Sequence, residues 1–196
     1  MADEVTRRVV HASGTVFPAA YLADLVTYEQ FRWLVLAGSV VTLCLEALRL
    51  TIGLDWRLYE ALTSEYEQDN LAGYALYVFG ASAVVLVFPP RIAIPAILML
   101  MIADPLSGLL GSGELRTVKN LSVIAVTFAV CFLIAIPFVP PVPAVLGAFA
   151  ATVADGVKPV IRSYVIDDNL TIPIAAALAI SFGVWLSTRG VFPSGV

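Results

Sequence analysis

The sequence predicts an all-α fold, a polytopic membrane helix bundle of about seven transmembrane helices with the N-terminus cytoplasmic. Three observations carry this expectation. The 196 residues are 60% hydrophobic and 13% charged, with a mean hydropathy of +0.92, which leaves too little polar surface to cover a soluble core. Apolar stretches of about 18 residues recur, each long enough to cross roughly 30 Å of hydrocarbon. Basic residues also sort into two unequal sets, as the positive-inside rule requires of loops on opposite faces. Residues 1–196 read as one integral membrane domain.

Each span follows from local pattern. Val9 to Leu25 is the first, polar and holding Pro18, so it should face other helices more than lipid. Phe31 to Leu50, Leu71 to Phe88 and Ile92 to Leu110 come next. Leu121 to Val139, Ala144 to roughly Val157, and Leu170 to Ser187 complete the set. All are read as helices, because lipid offers no partner to exposed backbone groups outside a helix or closed barrel. Pro140, Pro141 and Pro143 enforce a tight turn before the sixth span. Asn169 is placed to cap the seventh, with Pro173 tolerated near its first turn.

Orientation follows from charge. Arg7, Arg8, Arg49, Arg57, Arg116, Lys119, Lys158 and Arg162 fall on one side, and Arg32, Arg91 and Arg189 on the other. The larger set belongs in the cytoplasm, giving an inside N-terminus and an outside C-terminus in the cell membrane. The net charge of −4 and isoelectric point near 4.9 argue against nucleic-acid binding. Cys44 and Cys131 lie in apolar runs and read as small hydrophobes rather than a disulfide or metal site. Thr6 to Val10 holds a twin arginine, but no smooth apolar segment or cleavage site follows, so the segment reads as mature protein.

Ionisable residues within spans are costly and persist where they pair or serve function. Here they concentrate at the cytoplasmic helix ends. Asp104, Ser107, Gly108 and Gly111 share one helical stripe, where an acid beside small residues leaves room for a ligand and a divalent cation, or for a close helix contact. The loop from Gly111 to Lys119 suits phosphate, or serves only to set topology. Arg7, Arg8 and the single histidine, His11, could bind phosphate and assist proton transfer, or anchor the first span. Glu46 and Arg49, at i and i+3, belong to this polar set or simply pair with each other. Asp155, Lys158 and Arg162 precede Asp167-Asp168-Asn169, whose adjacent acids would suit Mg²⁺ or pair with those cations. No Ser/His/Asp triad, thiol nucleophile or zinc spacing is present. Carboxylates, glycines and cations together favour phosphoryl or nucleotidyl transfer, where positioning and charge neutralisation carry most of the catalysis.

Three blocks resemble the dolichol kinase family, which includes phytol kinase and CTP-dependent diacylglycerol kinases and is related to phosphatidate cytidylyltransferases. Glu4-Val5-Thr6-Arg7-Arg8-Val9-Val10-His11 resembles the family's Glu-x-x-Arg-Lys-x-x-His, with Arg8 in place of lysine. The stretch from Ala103 to Gly111 resembles its Asp-x-x-x-x-x-x-Gly element, followed by a lysine, here Lys119. Asp167-Asp168-Asn169-Leu170-Thr171-Ile172-Pro173 resembles its Asp-Asn-Leu-Thr-x-Pro signature. After the lysine the family has Ser/Thr-x-Glu-Gly-Ser, where this chain has Asn120-Leu121-Ser122-Val123-Ile124.

The resemblance implies a membrane kinase that moves the γ-phosphate of CTP, with Mg²⁺, onto a lipid alcohol such as dolichol or polyprenol. Arg7, Arg8, Gly111 and Lys119, matched by position, would then serve the nucleotide phosphates, with Gly108 and Lys158 added from the residue pattern alone. Asp104, Asp167 and Asp168 would hold the metal, with Asn169 beside them and Asp155 set against a glutamate of relatives. Asp104, Lys119 and His11 would form the catalytic group, a carboxylate or His11 taking the hydroxyl proton. Cytidylyl transfer, making a CDP-lipid, is the sister activity. A transporter or assembly protein is the non-enzymatic alternative, and a transporter should show inverted repeats with polar groups near the midplane.

Overall fold

The computed structural model describes residues 2–52, 70–111, 120–157, 160–161, 164–165 and 167–190; for 2–7, 52, 160–161 and 164–165 only the backbone is described. Nearly all of these residues are helical: α1 (Ala2–Ser13), α2 (Val16–Leu22), α3 (Tyr28–Ile52), α4 (Gly73–Val87), α5 (Pro90–Leu98), a π-helical turn (Met99–Ala103), α6 (Asp104–Leu110), α7 (Leu121–Ala135), α8 (Pro141–Gly156) and α9 (Asp168–Thr188). Val160–Ile161 (β1) and Tyr164–Val165 (β2) form a minimal antiparallel ladder between α8 and α9.

Three stretches are long and apolar enough to cross a membrane: Tyr28–Thr51, Pro90–Leu110 and Asp168–Thr188. Helices α4, α7 and α8 are apolar but shorter, at 15, 15 and 16 residues. At about 1.5 Å per residue they reach roughly 22–24 Å, short of the full hydrocarbon thickness. The expected seven full-length spans are therefore not what the described helices provide.

The first expected span is corrected outright. Val9 to Leu25 is not one helix, because the chain breaks at Gly14 and Thr15 between α1 and α2. The amides of Gly14 and Thr15 reach back only three residues, to the His11 and Ala12 carbonyls at 3.2 and 3.1 Å. Ser13 and Thr15 hydroxyls bond the Val10 and Ala12 carbonyls, competing with the helical ladder. Pro18 has no N–H for the Gly14 carbonyl, which Phe17 takes instead at 3.2 Å. The bent pair still runs the length of the bundle. His11 lies beside Leu100, while Tyr21 meets Tyr28 and Phe31 at the start of α3.

The α5–α6 stretch is central, with Ile94, Ile97, Met99 and Leu100 fully buried. Around it, α8 and α9 pack antiparallel on glycines. A Cβ on Gly147 would meet Ile180, and one on Gly183 would sit 2.7 Å from the Pro143 backbone. Gly80 of α4 lets the backbone at Asn169 and Leu170 approach just as closely. Small residues thus draw the helices together, while Val40, Val41, Leu43, Leu133, Phe182 and Trp185 remain exposed. So apolar an exterior suits lipid better than water.

The two bundle ends differ. Arg32 donates to the Leu86 carbonyl at 2.8 Å, and Arg91 shares a groove with Ser187 and Thr188, so these arginines mark one end. At the other end the C-termini of α3, α6 and α8 meet the N-termini of α4 and α9, and the polar residues gather there.

Candidate functional site

The last stretch of α5–α6 is shaped by Pro105. Proline cannot give an N–H to the Met101 carbonyl, and its ring presses on the preceding turn. Over Met99–Ala103 the helix widens to a π turn, and the Asp104 amide bonds the Met99 carbonyl. Asp104, Ser107 and Gly108 then face inward along one stripe, as their spacing predicts, and Gly111 closes the helix with its amide on Ser107. Ser107 is fully buried and donates to Asp155 Oδ2 at 2.6 Å.

Three carboxylates from three helix ends converge here. Asp104, Asp155 and Asp168 each offer an oxygen, and these oxygens all lie within 4.8 Å of one another. Asp155 is 3% and Asp168 6% exposed. At 4.8 Å two unit charges repel by about 3.5 kcal/mol even at an effective dielectric near 20. Such a cluster is offset by a counter-charge or by a bound proton. Ligands on one Mg²⁺ lie about 2.1 Å from the ion, hence roughly 3–4 Å apart, so small side-chain shifts would let these oxygens hold a hard divalent cation.

Cationic and donor groups line the same site. The Arg8 guanidinium lies on Gly108, where a Cβ would come within 1.4 Å of Nη1, and Nη1 reaches the Pro105 carbonyl at 3.5 Å. His11 Nε2 stands 3.0 Å from the Leu100 carbonyl and 3.7 Å from Asp104 Oδ2. Tyr77 packs edge-on against the imidazole at 4.4 Å and donates its hydroxyl to the His11 carbonyl at 3.0 Å.

Around the late motif one expectation is corrected. Asp167, not Asn169, caps α9: its carboxylate accepts the Asn169 amide at 2.8 Å, two residues on, which is capping geometry. Asp167 is thus not one of the three convergent acids, and Asp168 alone represents the pair there. Asn169 Oδ1 is buried with no hydrogen-bond partner among the described residues.

Glu46 and Arg49 pair with each other, Nη2 to Oε2 at 2.8 Å and Nε to Oε1 at 3.0 Å. Glu46, 1% exposed, also accepts from the Tyr74 hydroxyl and the Ala72 amide, and Arg49 donates to the Asn70 carbonyl. This network ties the end of α3 to the start of α4.

Of the residues expected at the site, Arg8, His11, Asp104, Gly108, Asp155 and Asp168 come together. Lys119 and Lys158 lie outside the described residues, as do Arg57, Arg116 and Arg162 and most of the loop after Gly111. The Arg7 side chain is likewise outside them. Ser107, expected on the Asp104 stripe, was given no role of its own there; Tyr77 was not expected at all, since it sits in an apolar run that carries no signal. Comparison with family models, with curated proteins and with solved structures returned no match.

Proposed function

We propose that this protein is a CTP-dependent lipid-alcohol kinase, acting with Mg²⁺ on dolichol, polyprenol or a related isoprenoid alcohol. In this reading the chain is integral to the cell membrane with its N-terminus inside, and the acid end faces the cytoplasm. The observation that carries the proposal is the convergence of Asp104, Asp155 and Asp168 beside the Arg8 guanidinium. Phosphoryl transfer needs little more than charge neutralisation and alignment, which such a group supplies. Bound at the carboxylates, Mg²⁺ would offset the negative charge of the triphosphate. Arg8 would bind phosphate oxygens, joined by Arg7 and Lys119. The lipid hydroxyl oxygen attacks the γ-phosphorus. An O–P bond forms, the bond to the β–γ bridging oxygen breaks, and CDP leaves. The hydroxyl proton passes to a group of the site, while the apolar tail stays between helix and lipid.

Cytidylyl transfer would draw on the same acids and cations. Purified protein in lipid nanodiscs, offered CTP with either polyprenol or a lipid phosphate, separates the two. Label from the γ position enters lipid in a kinase; label from the α position enters lipid phosphate in a cytidylyltransferase. Asp104→Asn and Asp168→Asn should each lower transfer by at least about 100-fold, as expected when a charge-stabilising group is lost. Full activity in both variants would remove the metal role. A protein that transfers neither label to any lipid would refute the proposal.

A further inference from the structure

We infer that His11 is a positioning residue for Asp104, seated on the carbonyl that the widened turn frees; its effect on lipid phosphorylation rests on the kinase reading above. Within the widened turn, the Asp104 amide bonds the Met99 carbonyl, five residues back, in place of the Leu100 carbonyl, four back. The Leu100 carbonyl thereby loses its ordinary helical partner at a residue that is itself fully buried, where an unmet carbonyl is costly. His11 Nε2 meets it from 3.0 Å. A carbonyl oxygen only accepts, so Nε2 carries hydrogen whether the ring is neutral or charged.

Nε2 is also the nitrogen facing the acids, 3.7 Å from Asp104 Oδ2. It has no lone pair on that side to receive a substrate proton. The ring is held in this orientation by Tyr77, whose edge contact lies at 4.4 Å and whose hydroxyl bonds the His11 carbonyl. Gly14 leaves space for that phenol, since a Cβ there would come within 1.9 Å of the Tyr77 oxygen. His11 keeps its hydrogen on the Leu100 carbonyl and holds Asp104 and α1 in register.

The two roles separate by substitution. Glutamine places an amide N–H near the Nε2 position but accepts no proton; alanine supplies neither group. His11→Gln should retain lipid phosphorylation within about 5-fold, and His11→Ala should lose about 100-fold, the cost of misplacing a reacting group by roughly 1 Å. Glutamine as inactive as alanine would overturn the inference. The chain has one histidine, so long-range ¹H–¹⁵N NMR of histidine-labelled protein shows a single imidazole. Recorded above the ordinary histidine pKa, it should show the hydrogen on Nε2. Hydrogen on Nδ1 with Nε2 bare would overturn the inference without reference to activity. A protein inert toward CTP that still shows Nε2–H would sink the kinase reading and leave the placement of His11 intact.

Discussion

Replacing Gly108 with alanine probes the seat of the Arg8 guanidinium. The new Cβ would lie 1.4 Å from Nη1, 2.1 Å from Cζ and 2.4 Å from Nη2 of Arg8. An unstrained contact is roughly 3.5 Å, so the guanidinium must retreat by about 2 Å. That displacement is cheap, because it moves only the far end of a flexible side chain. Alanine inside a helix also gains roughly 0.5–1 kcal/mol over glycine, so stability should hold or rise. The phosphate contact proposed for Arg8 should not survive. One hydrogen bond to a charged group contributes about 1.5–3 kcal/mol, which corresponds to roughly a 10- to 150-fold rise in the KM for CTP. Transfer of γ-label to polyprenol measures the loss, with thermal unfolding run alongside. Arg8→Ala should lose a similar factor, and the double variant no more than either single one, since both changes delete one contact. An unchanged KM in Gly108→Ala, or losses that multiply in the double variant, would show that Arg8 does not meet the nucleotide from this position.

Two further outcomes follow from packing. Glu46→Gln should destabilise the bundle by about 3 kcal/mol, because it strands the largely buried Arg49 guanidinium without its counter-charge; thermal unfolding of both proteins checks it, and an unchanged midpoint would make the pair dispensable. Gly183→Ala should cost about 1–3 kcal/mol, because its Cβ would press on the Pro143 backbone, which cannot swing aside. Gly108→Ala, made in the same membrane background, should cost nothing, and equal losses would show that the α8–α9 contact is not as tight as described.

The helices were legible because an apolar run is a property of consecutive residues. Phe31 to Leu50 and Leu170 to Ser187 each lie within a helix two or three residues longer at most ends. Boundaries set by capping were less legible. Asp167, Asp168 and Asn169 can each cap a helix, and only the backbone angles at Asp167 decide among them. The break in the first span was written in Gly14 and Pro18, yet hydropathy averages over both. Pro105 announced a disturbed turn, but not that the freed Leu100 carbonyl would face an imidazole from 89 residues away.

From the sequence by itself came the helical class, the apolar exterior and the identities of the rare acids and bases, because composition and periodicity are local. Tertiary structure alone decided which of those groups meet. Asp155 and Asp168 reach Asp104 because glycines at 147, 183 and 80 let α8, α9 and α4 pack at backbone contact. It also decided that Glu46 spends its charge on Arg49 while Asp104 faces other carboxylates. Which neighbours a charge meets depends on distances between helix ends, which no stretch of sequence encodes locally.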